Sequence, residues 1–432
     1  MLSLVRIALR NLLVDRERAL LLFGVIASGC AVLMGLMSLQ AGVASAQRQA
    51  VRTLLSGDVN VGGFFKVHPD AIAPVMGDTP RVRSVVEPLL PAGCGLRERG
   101  RGYVTVGAGR HRTRSFITGV DVGQERELLQ SFAVRSGSMA ALERPGMVAL
   151  SVPLAKRLRV QAGDVTTLYA QTAGNKRNAV DVQVAAITEP LGLLGETAGI
   201  LVSNDTLRQL HGYKPETSGV LQLACGEETD VEALAGSLRE ALRKAELQVL
   251  PATHEAYGDK LVPLLREAWA GQRLDVSTWE DESSFLSFIT VGLSALTVVV
   301  GVIVFGVVVV GLFVSLSVAV RERTREIGTL RAMGMHRRSV VGMLVLEGLL
   351  LGVLASAFGA GLSAALCALL RGAISLPEGL SNVFFSGTLP LEPHLPHALA
   401  AMLLVTVAAA LASIIPAARA ASLPPRSAME SL

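Results

Sequence analysis

Residues 285–320 read FLSFITVGLSALTVVVGVIVFGVVVVGLFVSLSVAV, and no charged residue falls between Ser283 and Val320. As helix, roughly 36 residues at 1.5 Å each would extend about 54 Å, well past the roughly 30 Å hydrocarbon core of a bilayer. Two short spans would need a turn, yet the run holds no Pro, Asn or Asp. Two spans would also bring the following basic segment back to the side on which the run began. One long helix that leaves the membrane is therefore the reading. It stops at Arg321-Glu-Arg-Thr-Arg-Glu-Ile-Gly-Thr-Leu-Arg331-Ala-Met-Gly-Met-His-Arg337-Arg338, a basic density of the kind found on the cytoplasmic side of membranes.

Outward from this stretch, half of the residues are hydrophobic and only 4% aromatic, with a mean hydropathy of +0.48. Residues 19–40, 339–370 and 398–418 form three further runs long enough to span. The expected fold is a membrane protein of four transmembrane α-helices. A large α+β extracytoplasmic domain of two subdomains lies between helices 1 and 2, on a helical stalk. Arg6, Arg10, Arg16 and Arg18 flank span one, and Arg371 stands alone between spans three and four. That asymmetry places both termini and the 321–338 loop in the cytoplasm. The net charge of +4 is no nucleic-acid signal. Ala27-Ser-Gly-Cys30 loosely resembles a lipoprotein cleavage box, but the apolar run continues through Leu39, which reads as an uncleaved anchor.

The chain then divides as follows. Residues 1–18 form a cytoplasmic amphipathic helix, and 19–56 form span one with a projection ending at the breaker Ser56-Gly57. The outer domain occupies 57–281, with a second lobe inserted at about 101–215, and 282–320 form span two with its own projection. A cytoplasmic helix (321–338), span three (339–370), an outer loop (371–397), span four (398–418) and a cytoplasmic tail (419–432) complete it. In the outer domain, strand-like runs lie at 58–61, 82–88, 103–107, 115–119, 147–150, 165–170, 180–187, 199–202 and 219–224. Helical patterns lie at 122–130, 152–158, 204–210 and 230–245, with Asn204 and Asp230 as N-caps. Residues 255–280 read as an amphipathic lead back to the membrane. Cys94 and Cys225 would face an oxidising compartment in a bacterial envelope protein and could pair there, though their spacing does not decide it.

No catalytic constellation is evident. Gly-Lys occurs nowhere, so a Walker phosphate loop is absent, as is a Gly-x-Ser-x-Gly elbow. His394-x-x-His397 is a poor metal signal, and the mixed charges of the outer domain suit a solvated surface. Glu347 reads as an interfacial acid near Arg338. Gly348, Gly352, Ser356, Ala360, Ala364 and Ala368 form a ladder of small residues on span three, suited to packing on a span of the same chain or on a second subunit. The segment after span two cannot be a buried core helix; it either sets topology or docks a cytoplasmic protein.

That segment, followed by Leu346-Glu-Gly348, resembles the signature of the FtsX-like permeases of ABC transporters, including the MacB and LolC/LolE types. Ala8-Leu-Arg-Asn-Leu12, Pro416-Ala-Ala-Arg-Ala-Ala-Ser-Leu-Pro424 and the Ser151–Asp164 segment are similar to the same family. Phe116-Ile-Thr-Gly-Val-Asp121 and Arg135-Ser-Gly137 lean towards its lipoprotein-releasing members. The resemblance implies a non-enzymatic permease subunit of the bacterial inner membrane. It would work as a dimer with a second copy or a paralogue, beside separate ABC ATPase subunits that hold ATP and Mg. The coupling helix would dock through Arg321, Glu322, Arg325, Glu326, Ile327, Leu330, Arg331 and Met333. ATP-driven closure would pass along the stalks to the outer domains, moving lipoprotein towards a periplasmic acceptor without a membrane channel. Drug or peptide efflux of the MacB type and regulation of an envelope hydrolase remain the alternatives. A membrane-anchored enzyme is disfavoured.

Overall fold

The computed structural model describes residues 16–68, 71–172, 174, 176–189, 199–226, 229–322, 324, 329, 331, 333 and 335–422. The helix expected over 1–18 lies outside them up to residue 15, as does the tail from residue 423. The chain forms two compact units. One contains most of the long apolar helices, and the other is Ser45–Phe288 with Pro377–Gly387.

The first helix, α1 (Arg16–Ala50), contains no Pro and passes through Cys30 without a break. A π-helical turn, Val51–Leu55, prolongs it until Ser56 turns extended. The outer unit opens with β1 (Val59–His68), β2 (Ala71–Ala73), α2 (Thr79–Val86), β3 (Gly95–Ala108) and β4 (His111–Val120). Next come α3 (Arg126–Ser131), β5 (Val134–Gly137), β6 (Met147–Ser151), α4 (Val152–Leu158), β7 (Val165–Gln171) and β8 (Arg177–Thr188). It continues with β9 (Ile200–Ser203), α5 (Asn204–His211), β10 (Val220–Ala224), α6 (Val231–Lys244), α7 (Tyr257–Arg266), β11 (Gly271–Thr278) and α8 (Trp279–Glu282).

The strands run in the order β11-β1-β10-β3-β4-β9-β6-β8-β5, with β2 beside β1 and β7 bridging β3 and β8. Among the described residues, two large hydrophobic cores sit on this sheet beside a smaller one of Phe64, Tyr257 and Leu264. Val59, Val61, Val82, Val86, Leu223, Leu238 and Val276 belong to one, and Val104, Ile117, Leu150, Leu168, Val184 and Leu210 to the other. Strand β3 serves both regions: Gly95–Arg99 pairs with β10 and Gly100–Ala108 with β4. At the junction of β3 and β10, Cys94 and Cys225 form a disulfide (S–S 2.07 Å), which settles what their spacing left open. With a sequence separation of 131, a loop-entropy account gives it about 5 kcal/mol.

Several local readings change. The valine-rich run at 82–88 forms no strand: α2 covers Thr79–Val86 and a 3₁₀ turn follows over Glu87–Leu89. Asp78 accepts from Arg81 N–H at 3.2 Å, and Val82 and Val86 are buried four residues apart on one face. The cap and the helical spacing outweigh β-branched propensity. Asp230 caps α6 through Ala233 N–H, but Ser203, not Asn204, caps α5. Asn204 instead reaches β3, accepting from Gly100 N–H and donating to Glu98 O. Between residues 255 and 280 only α7 is helical beyond the short α8; Gly271 at φ +89 opens β11, which pairs along β1.

The membrane unit adds α9 (Ser287–Glu322), α10 (Arg337–Leu370) and α12 (Leu395–Ser422), with α11 (Glu378–Phe384) between the last two. The decisive run is indeed one helix, 36 residues without a break. Among the described residues, four helices are long and apolar enough to cross a membrane. Ile26 and Cys30 of α1, Val308 and Leu312 of α9, Ala355 of α10 and Val405 of α12 share their core.

Candidate functional site

A helix ends in carbonyls without intrahelical partners, and side chains meet those after α1. Arg99 of β3 donates to Leu54 O (3.0 Å) and Thr53 O (2.8 Å). Gln222 of β10 donates to Leu55 O (2.9 Å). A cation here also faces the negative pole of the helix dipole. Arg99 is 1% exposed, and Glu125 balances its charge, with both carboxylate oxygens 3.0 Å from Nε. Arg52 pairs with Asp58 at 2.5 Å and donates to Cys225 O. Cys225 N–H donates to the same Asp58 carboxylate at 2.7 Å. The disulfide-bonded end of β10 is thus tied to the turn that ends the first long helix.

The chain leaves the outer unit beside the point where it entered. Val59 of β1 lies opposite Thr278 of β11, and Trp279 N–H donates to Asp58 O at 3.0 Å. Thr278 and Asp281 form a capping box. Arg48 stands over the Trp279 ring at 5.3 Å. One buried polar cluster therefore holds the residues just after α1 and those shortly before α9. Next to it lies a cavity of about 320 Å³, walled by Leu55, Tyr103, Phe116, Tyr257, Leu261 and Phe285, with Arg99, Arg101, Gln222 and Glu282 among its polar lining.

The reading of these charges as a solvated surface is corrected for Arg99, Glu125, Arg101, Glu282, Asp58, Lys260 and Asp275, all of which are buried. One signal was available: Arg99-Gly-Arg101-Gly102 places two arginines on one face of a strand. The glycines leave room for the close approach of Leu207 and His211.

Of the residues expected to dock an ATPase, Arg325, Glu326, Ile327 and Leu330 lie outside the described residues. Arg321 and Glu322 end α9 in exposed positions, and Arg331 is half-buried. Met333 is 76% exposed, and its N–H closes a helical turn on Thr329 O at 3.0 Å. The small-residue ladder meets other helices of the same chain. A Cβ on Gly348 would stand 2.0 Å from Ser413 Oγ, and one on Gly352 2.8 Å from Ala409 Cβ. Ser356 O accepts from Cys30 Sγ at 3.3 Å, and Ala360 is buried in the same core. From Gly348 to Ala360 this face is covered by α12 and α1, while Ala364 is half-buried and Ala368 is exposed. Glu347 is half-buried beside it.

Residues 298–425 match the family described as FtsX-like permease C-terminal. The resemblance to FtsX-like permeases read from the sequence holds over these residues. The matched stretch takes in most of α9, the 321–338 segment, α10 and α12, and with the long apolar helices it indicates a multi-pass membrane protein. Among solved structures, the extracellular domain of the noncanonic ABC-type transporter YknZ from Gram-positive bacteria is 10% identical (TM-score 0.29), covering 50% of this chain and 98% of its own. The periplasmic region of MacB from Actinobacillus actinomycetemcomitans is 9% identical (TM-score 0.31), covering 45% and 86%. A domain of a putative permease protein from Porphyromonas gingivalis is 13% identical (TM-score 0.27), covering 51% and 86%. No curated protein matches.

Proposed function

We propose that this chain is the permease subunit of an ABC transporter that moves its outer domain by mechanotransmission and releases lipoproteins from the bacterial inner membrane. The FtsX-like match over residues 298–425 carries the reading. Both termini lie in the cytoplasm in this reading. ATP and Mg sit on separate ATPase subunits, and a second permease copy or a paralogue completes the complex. Residues 321–338 form the coupling helix.

The lengths of the long helices support transmission. The apolar helices Ala19–Leu55 and Ser284–Glu322 have 37 and 39 residues, where a bilayer needs about 20. A continuous helix carries displacement along its axis, which a flexible linker does not. The polar cluster around Arg99, Asp58 and Trp279 offers both chain crossings one rigid attachment. We read the two hydrophobic cores as two lobes that move with it. Lipoprotein as cargo rests on the likeness of Phe116–Asp121, at the end of β4, and Arg135–Gly137, on β5, to the lipoprotein-releasing members.

The test reverses Arg325 and Arg331 to Glu together. Breaking a hydrogen bond to a charged group costs about 1–3 kcal/mol, so the ATPase should no longer co-purify and lipoprotein release from spheroplasts should stop. The melting profile of the isolated subunit should still show one folded transition, so that lost binding is read on folded protein. Normal ATPase binding with normal release would reduce the segment to a topology signal.

A further inference from the structure

Arg99 and Arg101 lie two residues apart on β3, and their surroundings differ. Arg99 is saturated by Glu125 and two carbonyls. Arg101 is 6% exposed, yet its nearest carboxylate oxygen, on Glu282, is 3.6 Å from Nη1, beyond hydrogen-bond distance. That oxygen already accepts from Ser277 Oγ at 2.7 Å. The guanidinium otherwise rests on the Tyr257 ring, 4.6 Å from its centroid, and Nη2 is buried without a hydrogen-bond partner. Gln222 is similar: Nε2 serves Leu55 O while Oε1 is buried and unpartnered. Both residues line the 320 Å³ cavity. Buried polar groups in native proteins are nearly always satisfied.

The other walls are apolar. Tyr103 and Phe285 are 47% and 46% exposed, and Tyr103 meets Phe116 edge-on at 5.5 Å. Exposed aromatics beside a cavity with a few convergent polar groups are the marks of a ligand-binding pocket.

We propose that this cavity binds an amphiphile with an apolar body and an anionic head, a carboxylate or a phosphate. The body lies among Tyr103, Phe116, Leu261 and Phe285, and the head accepts from Arg101. A hydroxyl or amide N–H next to the head supplies Gln222 Oε1. Because Glu282 is Arg101's other partner and lies shortly before α9, an occupied cavity draws Arg101 away from the start of that helix. The site does not depend on the ATPase.

The experiment uses the full chain in lipid nanodiscs with a diazirine-bearing octanoate, cross-linked by light and mapped by mass spectrometry. Labelling of the Tyr103, Phe116 and Leu261 peptides should saturate. Octanoate or octyl phosphate should compete, their relative potency identifying the head, and octanol should not. Arg101→Gln should weaken binding about tenfold, and Tyr103→Ser should weaken it severalfold. Should Arg101→Gln fail to fold, the half-exposed Tyr103 variant decides alone. Labelling confined to the spans, equal competition by octanol, or labelling unchanged in a folded variant would each overturn the site.

Discussion

The membrane unit and the outer unit join their elements with opposite kinds of residue. In the membrane unit, α10 meets α12 and α1 through Gly348, Gly352, Ser356 and Gly359, and a Cβ on Gly359 would stand 2.2 Å from Ala27 O. In the outer unit, the residues after α1 are held by Arg99, Gln222 and Arg52, three of the longer polar side chains. The difference follows from the solvent each unit faces. Between helices in lipid there is no hydrophobic driving force, so contact comes from close backbone approach. In water, two apolar cores supply the drive, and the buried ion pairs are left to fix geometry.

The strongest way to break the outer side of this contrast is Arg99→Met. It leaves Glu125 charged and buried and two carbonyls without donors, a loss of about 3–5 kcal/mol. Both tryptophans, Trp269 and Trp279, lie in the outer unit, so their fluorescence in a urea titration reads this unit. The midpoint should fall sharply, and adding Glu125→Met should recover much of the loss, because the stranded charge is then gone. A double variant as unstable as the single would show that the carbonyl contacts, not the pair, hold the cluster.

On the membrane side, two glycines two residues apart make a matched pair. Gly359→Val forces a side chain against the Ala27 backbone, whereas Gly361 has no heavy atom within 4 Å of its would-be Cβ. The first change should cost about 1–3 kcal/mol, seen as earlier loss of a monodisperse peak on heating in detergent. Gly361→Val should melt like the parent. Equal melting of the two variants would remove close packing as the cement of this unit.

Much of this architecture was legible because hydrophobic period and charge are local signals. The run at 285–320 contains its own evidence for one helix. The small-residue ladder on span three showed its spacing, though not which helix it meets. The buried cluster was hidden because its partners are far apart in sequence. Arg99 meets Glu125 and Thr53, while Asp58 meets Cys225, and no window along the chain contains both ends of such a bond. Strand β11 was missed for a similar reason. Its place is set by pairing with β1 some two hundred residues away, and apolar residues in the same stretch mimic a helix. At 82–88 the reverse holds: valine type favours a strand, while the helical spacing of buried Val82 and Val86 decides the helix.

The smallest expected effect sharpens the contrast by pH. His211, in the last turn of α5, is 5% exposed, and its Nδ1 lies 3.2 Å from Gln171 O. Burial depresses its pKa below the ordinary 6.5, and the Gln171 carbonyl opposes this only in part. A neutral ring donates from Nδ1 to that carbonyl. A second proton would go to Nε2, which is buried without a partner and faces Gly102. The unfolded chain takes up that proton more readily, so stability is complete above the ordinary pKa and is lost as pH falls through the depressed one. The urea midpoint read by tryptophan fluorescence should therefore drop between pH 7.5 and pH 5, by less than either substitution above. His211→Gln should flatten the slope, whatever it does to the midpoint at neutral pH. An unchanged slope would move the acid sensitivity to other groups. Thermal stability of the membrane unit, followed through its detergent profile, should show no matching step, because His211 belongs to the outer unit alone.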